Sequence, residues 1–339
     1  MDATDFESLQ GFMSPLAEHL QSYVLDVGEG TSDARTSSQM TDWPSMPTPP
    51  SSDSGISDCG YGGDLTVPVS TAFWPGATAD PADVILSSSD GVLFYVHSQK
   101  LAACSSNRFN GCVPLSPHAS AADCPILPAT ETADVLNIVL HAIYDMSFAQ
   151  YSPGVECLVA AVRSLHKYGA PLKKLIAPTS PLYQRLMSVA PLNPISIYTV
   201  ASQFGLEELA VASSAHLLNF RLSTLSDDMA VRMGPVYLKR LFFLHLGRID
   251  AFKRILLPPP PPHPCTSTCD FKDQKQMVRA WALAAACLAW DSRPDLPITT
   301  IKQTLKPLIE KLPCEVCRQL LNDRTKDMVA QWSLVKTTV

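Results

Sequence analysis

The residue types best suited to chemistry lie near the C-terminus: Cys265 and Cys269, then Cys314 and Cys317. Each pair is spaced so that two thiolates can share one tetrahedral ion, and His263 is a possible substitute ligand. Cys269 and Cys314 are separated by more than twice the ~15–20 residues usual between the pairs of a zinc ribbon. Three readings stay open. The cysteines could form a structural zinc site, pack as reduced, small apolar side chains, or carry out redox chemistry through the Cys-x-x-Cys of Cys314 and Cys317. A thiol or zinc enzyme would follow from the last, but no sheet is predicted nearby to position it.

Asp83 and His97 form the other tempting pair, since carboxylate and imidazole are the usual partners in acid–base chemistry. Asp83 opens a predicted strand and His97 follows one, and no motif places a nucleophile beside them. They are expected to be polar residues satisfied by hydrogen bonds within the fold. Thr48, Ser51, Ser52, Ser54 and Ser57 sit in a Ser/Thr/Pro-rich stretch where added phosphate would create a charged docking site. Lys239, Arg240, Arg248, Lys253 and Arg254 alternate with aromatics, but helical winding spreads the bases over an outer face, so no nucleic-acid partner is expected.

The elements that must hold these residues fall into five stretches. Residues 1–80 carry 12 acids against the single base Arg35, a net charge of −11, whereas the rest of the chain carries +5. This acidic tail is expected to be disordered, apart from a short amphipathic helix in which Leu16, Leu20, Tyr23, Val24 and Val27 share one face. From Pro81 the pattern changes. Two apolar runs, Val84–Leu86 and Leu93–Val96, flank Ser89-Asp90-Gly91 and predict a hairpin. Pro125–Leu127 reads as a further strand.

Helical spacing then dominates. Thr132 is placed to cap a helix with Val135, Leu136, Val139, Leu140, Ile143 and Tyr144 inward, and Cys157–Tyr168 repeats the pattern. Helices are predicted over Leu172–Val189, Ile195–Phe204 and Leu206–Phe220, with Gly205 as a C-cap. A long helix from Pro235 to Leu257 is given the seam Leu238, Leu241, Phe242, His245, Ile249 and Phe252. Five consecutive prolines, Pro258–Pro262, stop it and predict a stiff polyproline II spacer. Gln274–Trp290, Ile298–Leu312 and Glu315–Val329 complete the helices, the first expected to be buried at the centre because small residues permit close approach.

The ten cysteines, with no visible secretory signal in the first residues, suggest a reducing compartment, cytoplasmic or nuclear. The longest wholly apolar stretch, Ala280–Trp290, is well short of the ~20 residues a membrane helix needs, so no membrane partner is expected.

Asp83–Phe109 resembles the opening of a BTB/POZ domain. The likeness rests on Asp83-Val84 on the first strand, the hairpin, Val96-His97-Ser98, and Leu101-Ala102-Ala103 with Ser105. His141-Ala142-Ile143-Tyr144 and Leu165-His166-Lys167-Tyr168 are similar to two later helix signatures of that family, so the signature residues here are Asp83, His97, Leu101, Ser105, Tyr144 and Tyr168. Pro194–Tyr198, Gly205-Leu206, Leu244–Arg248 and the cysteine pairs resemble the helical extension of BTB proteins abundant in mushroom-forming fungi.

The resemblance implies an α+β fold, a BTB/POZ-like small sheet with helices followed by an all-helical C-terminal extension. The expected organisation is a tail at 1–80, the BTB-like domain at 81–170, a helical extension at 171–257, the proline spacer at 258–264 and a cysteine-paired helical segment at 265–339. It also implies a non-enzymatic, homodimerising scaffold for protein partners, with a cullin ubiquitin-ligase scaffold or a transcription co-regulatory complex as alternatives. Two departures stand out. Phe109 falls four residues after Ser105 instead of three, and no acid lies in the stretch after Phe109 where cullin-recruiting relatives carry a Glu.

Overall fold

The computed structural model describes residues 67–113 and 124–339. The amphipathic segment around Leu16–Val27 and the candidate phosphorylation sites Thr48–Ser57 lie outside the described residues. The fold is mixed α/β, with a small three-stranded sheet and a predominantly helical remainder.

Strand β1 (Val84–Ser87) lies between β2 (Leu93–Val96) and β3 (Ile126–Pro128), antiparallel to the first and parallel to the second. The predicted hairpin joins β1 to β2. Its turn closes through Ser88 N–H donating to Val92 O at 2.9 Å and uses Gly91 at φ 85°, a conformation glycine adopts without a Cβ clash. The sheet does not begin at Pro81. Pro68–Ser70 runs along the outer edge of β2, with Leu93 N–H on Pro68 O at 2.9 Å and Tyr95 N–H on Phe73 O at 2.9 Å. Phe73 is buried. The boundary expected at Pro81 misses this edge because its pairing is carried by backbone groups, which leave little trace in side-chain pattern.

Helix α1 (Ser98–Ala103) is followed, after β3, by α2 (Ala133–Ile143) and α3 (Val155–Lys167), which pack against each other. Thr132 occupies the cap position of α2, but its hydroxyl makes no capping bond; Asp90, in the hairpin turn, accepts from Ala133 N–H at 2.9 Å. Leu158, Ala161, Val162, Leu165 and Tyr168 are all buried, the face expected for α3.

The helix predicted over Leu172–Val189 is two helices, α4 (Leu172–Leu175) and α5 (Pro181–Val189). Pro178 interrupts the first, and Ser180 restarts the second by accepting from Tyr183 N–H at 3.2 Å. Helix α6 (Pro194–Gln203) turns at Gly205, φ 62°, into α7 (Glu207–Ser214). Helix α8 (Asp227–Leu256) is kinked at Gly234, where φ 72° breaks the helical path and Pro235 restarts it. One apolar core runs from Phe73 to Leu241 and packs the sheet, α2–α3 and α6–α8 together.

The inward seam of α8 differs from the expected one. Leu241, Leu244, His245, Arg248 and Phe252 are buried, while Phe242 is exposed. A charged residue enters the seam because Arg248 spends its guanidinium on three carbonyls: Pro294 O at 2.7 Å, Val335 O at 2.6 Å and Lys336 O at 2.9 Å. The same group lies 4.3 Å from the Trp332 ring centre.

Beyond the prolines come α9 (Phe271–Trp290), α10 (Ile298–Lys311) and α11 (Glu315–Leu334). Helix α9 is half-buried instead of central. Trp281, Ala284 and Leu288 face inward, whereas Ala282, Ala286 and Trp290 are exposed, because α8 and α10 contact one side of it. Arg324 of α11 donates to Ile255 O and to Pro258 O at 3.0 Å, tying the start of the proline run to the last helix.

Candidate metal centre

Three separate stretches bring His263, Cys269, Cys314 and Cys317 together, with one ligand atom from each lying within 4.8 Å of the others. His263 Nε2 is 3.1 Å from Cys317 Sγ and 3.5 Å from Cys314 Sγ, and Cys269 Sγ is 3.7 Å from Cys317 Sγ. The three cysteines are buried and pack with Met277, Val278 and Leu312.

Local structure explains each placement. His263 ends the proline run. Its backbone is held on both sides by Gln274 of α9, whose Oε1 accepts from His263 N–H at 3.2 Å while its Nε2 donates to His263 O at 2.9 Å. The imidazole Nδ1–H donates to Pro264 O at 2.7 Å, which leaves the lone pair on Nε2 facing the thiols. Cys269 closes a short bridge with Thr266, and the next residue, Asp270, opens α9 with a reciprocal capping box to Asp273. Cys314 is the N-cap residue of α11 and Cys317 sits in its first turn.

Cys265 does not join them. It is exposed, and the fourth donor is His263, not a fourth cysteine. The Thr266–Cys269 bridge carries Cys269 inward while Cys265 stays at the surface. The pairing rule in the sequence treats both cysteines of a short-spaced pair as equivalent; a four-residue turn does not.

The three thiols differ in how readily each gives up its proton. Backbone N–H groups of Cys317 and Val316, at the amide-rich start of α11, hold the Cys314 thiol down at about 7 against the opposing effect of burial. Burial pushes Cys269 upward and Cys317 up to about 12; the neighbouring thiols add to the rise at Cys317, while at Cys269 the bond with Cys317 opposes burial and Cys314 adds to it. Three thiolates cannot share this space unless a positive ion offsets their repulsion. One nitrogen and three sulfur donors in a closed, buried set match the tetrahedral preference of zinc.

The other sequence candidates sit elsewhere. Asp83 Oδ1 accepts from Ser98 N–H at 2.7 Å, and Ser98 Oγ donates to Oδ2, so Asp83 caps α1. Tyr144 Oη accepts from His97 N–H at 2.9 Å and lies 2.9 Å from His97 Nδ1; His97 Nε2 lies 3.1 Å from Asp80 O. Burial pushes the Tyr144 hydroxyl up to about 12. Ser105 accepts from Phe109 N–H at 2.6 Å and donates to Tyr168 O at 2.6 Å. Helix α1 ends at Ala103, before Ser105; beyond it Arg108, Phe109 and Asn110 all take left-handed φ between 54° and 57°, and Phe109 stacks with its ring centre 3.8 Å from that of Tyr168. Leu101 is buried in the core.

Glu131 went unnoticed in the sequence. Its carboxylate accepts from Lys167 at 2.8 Å and from the Tyr168 hydroxyl, and a single acid in the loop between β3 and α2 gives no pattern by which to find it. Of the five bases singled out in the sequence of α8, Lys239, Lys253 and Arg254 are exposed, Arg240 pairs with Glu207 at 2.7 Å, and Arg248 is buried. No helix among the described residues is long and apolar enough to cross a membrane.

No family model matches the chain, and no curated protein or solved structure matches it.

Proposed function

We propose that the protein is a non-catalytic scaffold for protein partners, a BTB/POZ-like dimerising module whose C-terminal helices are closed by one structural zinc ion. The observation that carries the zinc is the His263–Cys269–Cys314–Cys317 quartet, a full set of protein donors that leaves no coordination position for a substrate. The non-catalytic reading is supported by Asp83, His97 and Tyr144, whose polar atoms are engaged with one another's neighbours and with backbone groups. The dimer rests on the motif resemblance, and the exposed apolar side chains of α8, Val236, Phe243 and Leu246, are available to partners.

Elemental analysis of protein purified without chelators or added metal tests the zinc. One zinc per chain is expected, and less than about a tenth of an equivalent overturns the structural-site reading. Light scattering of the same sample should give about twice 36.8 kDa; a monomer at micromolar concentration removes the dimer.

A further inference from the structure

A second site lies far from the cysteines in sequence. A cavity of about 570 Å³ opens where three stretches meet: the end of α1, the end of α2 with the loop after it, and α4 with its following loop. That volume is within the range of about 300–1,000 Å³ typical of small-molecule sites. Ile143, Met146 and Leu175 give it an apolar wall, and Met146 is 38% exposed, more than a core methionine would be.

Lys100 and Lys174 enter the lining from α1 and α4, with Cys104 also lining it. Among the described residues neither ammonium has a carboxylate partner, although Lys100 lies 4.6 Å from the Tyr144 ring centre. Asp145 is the one acid of the lining, so the two lysines outnumber it. A concave apolar surface with two cations brought from different helices suits a ligand with an apolar body and an anionic head.

We propose that this cavity binds a small apolar carboxylate, its chain against Ile143, Met146 and Leu175 and its head between Lys100 and Lys174. Burial of the chain supplies most of the affinity, and the lysines select the anion over a neutral molecule of the same shape. Exposed charge pairs add little individually, so the selection is modest, roughly fivefold.

Calorimetric titration of the full-length protein with decanoate and with decanol tests this. Decanoate is expected to bind about fivefold more tightly than decanol, and the double substitution Lys100→Met, Lys174→Met should reduce it to the alcohol's level while leaving helical content unchanged. In methyl spectra the Met146 and Ile143 resonances should shift on addition of decanoate, with Met277 and Met328, in the C-terminal helices, unmoved. Equal binding of acid and alcohol, indifference to the double substitution, methyl shifts confined to other residues, or no binding at all would each overturn the proposal.

Discussion

Two polar clusters of this molecule are built from similar residue types and end in opposite states. Around the sheet, Asp83, His97 and Tyr144 meet donors with acceptors: a carboxylate on an amide, a hydroxyl on an amide and an imidazole. At the C-terminal helices, three thiols and an imidazole nitrogen converge within 4.8 Å, and every one of these atoms is a donor a metal ion accepts. The first cluster is complete as it stands. The second could hold a cation, and as proposed here zinc would bind once its thiols give up their protons.

Zinc removal should therefore give the largest effect. Where free zinc exceeds its dissociation constant about a thousandfold, the bound ion contributes on the order of 4 kcal/mol, which a chelator or Cys314→Ser would abolish. Thermal unfolding followed by circular dichroism reads this, and an unchanged melting temperature after chelation would place the quartet with the self-satisfied cluster.

Glu131 sharpens the comparison from the other side. Burial raises its carboxyl, but the hydrogen bonds from Lys167 and Tyr168 outweigh that and hold it below the usual range. A carboxyl depressed in the folded state stabilises above its unfolded value of about 4.3, and that contribution is lost as pH falls through the lower folded value. Glu131→Gln should cost about 1–3 kcal/mol near neutral pH. It should also flatten the decline in melting temperature between neutral and acidic pH; an unchanged decline would remove Glu131 as its source.

Asp83→Ala deletes only a cap and should cost about 1 kcal/mol with zinc content intact, measured by denaturant unfolding. Cys265→Ser should be smallest, changing neither stability nor metal content. Loss of zinc in that variant would restore Cys265 to the ligand set in place of His263.

The periodic features were legible in the sequence. The hairpin around Asp90-Gly91, the buried face of α3 and the turn at Gly205 follow from side-chain alternation, helical spacing and the special backbone of glycine. What was not legible depends on partners distant in sequence. Phe242 looks like a seam residue, yet it is Leu244 and Arg248 that are buried, Arg248 on carbonyls at Pro294, Val335 and Lys336. The break between α4 and α5 was readable from Pro178 and Ser180-Pro181, yet the apolar period ran across it. For the metal centre, the cysteine pairs pointed to the right region, and His263 was visible as a substitute. Choosing between His263 and Cys265 required the Thr266–Cys269 bridge and the grip of Gln274, neither of which leaves a spacing signature.

The proline run has a consequence for how the centre assembles. It is fastened at its start by Arg324 and near its end by Gln274, with His263 one residue beyond the fifth proline. Proline has few backbone states to lose on folding, so delivering the imidazole to the thiols costs little chain entropy. The spacer thus sets a high effective concentration of one ligand at a site made by the other three. If the quartet binds zinc as proposed, the imidazole would reach the thiols on a preformed strut instead of a floppy loop.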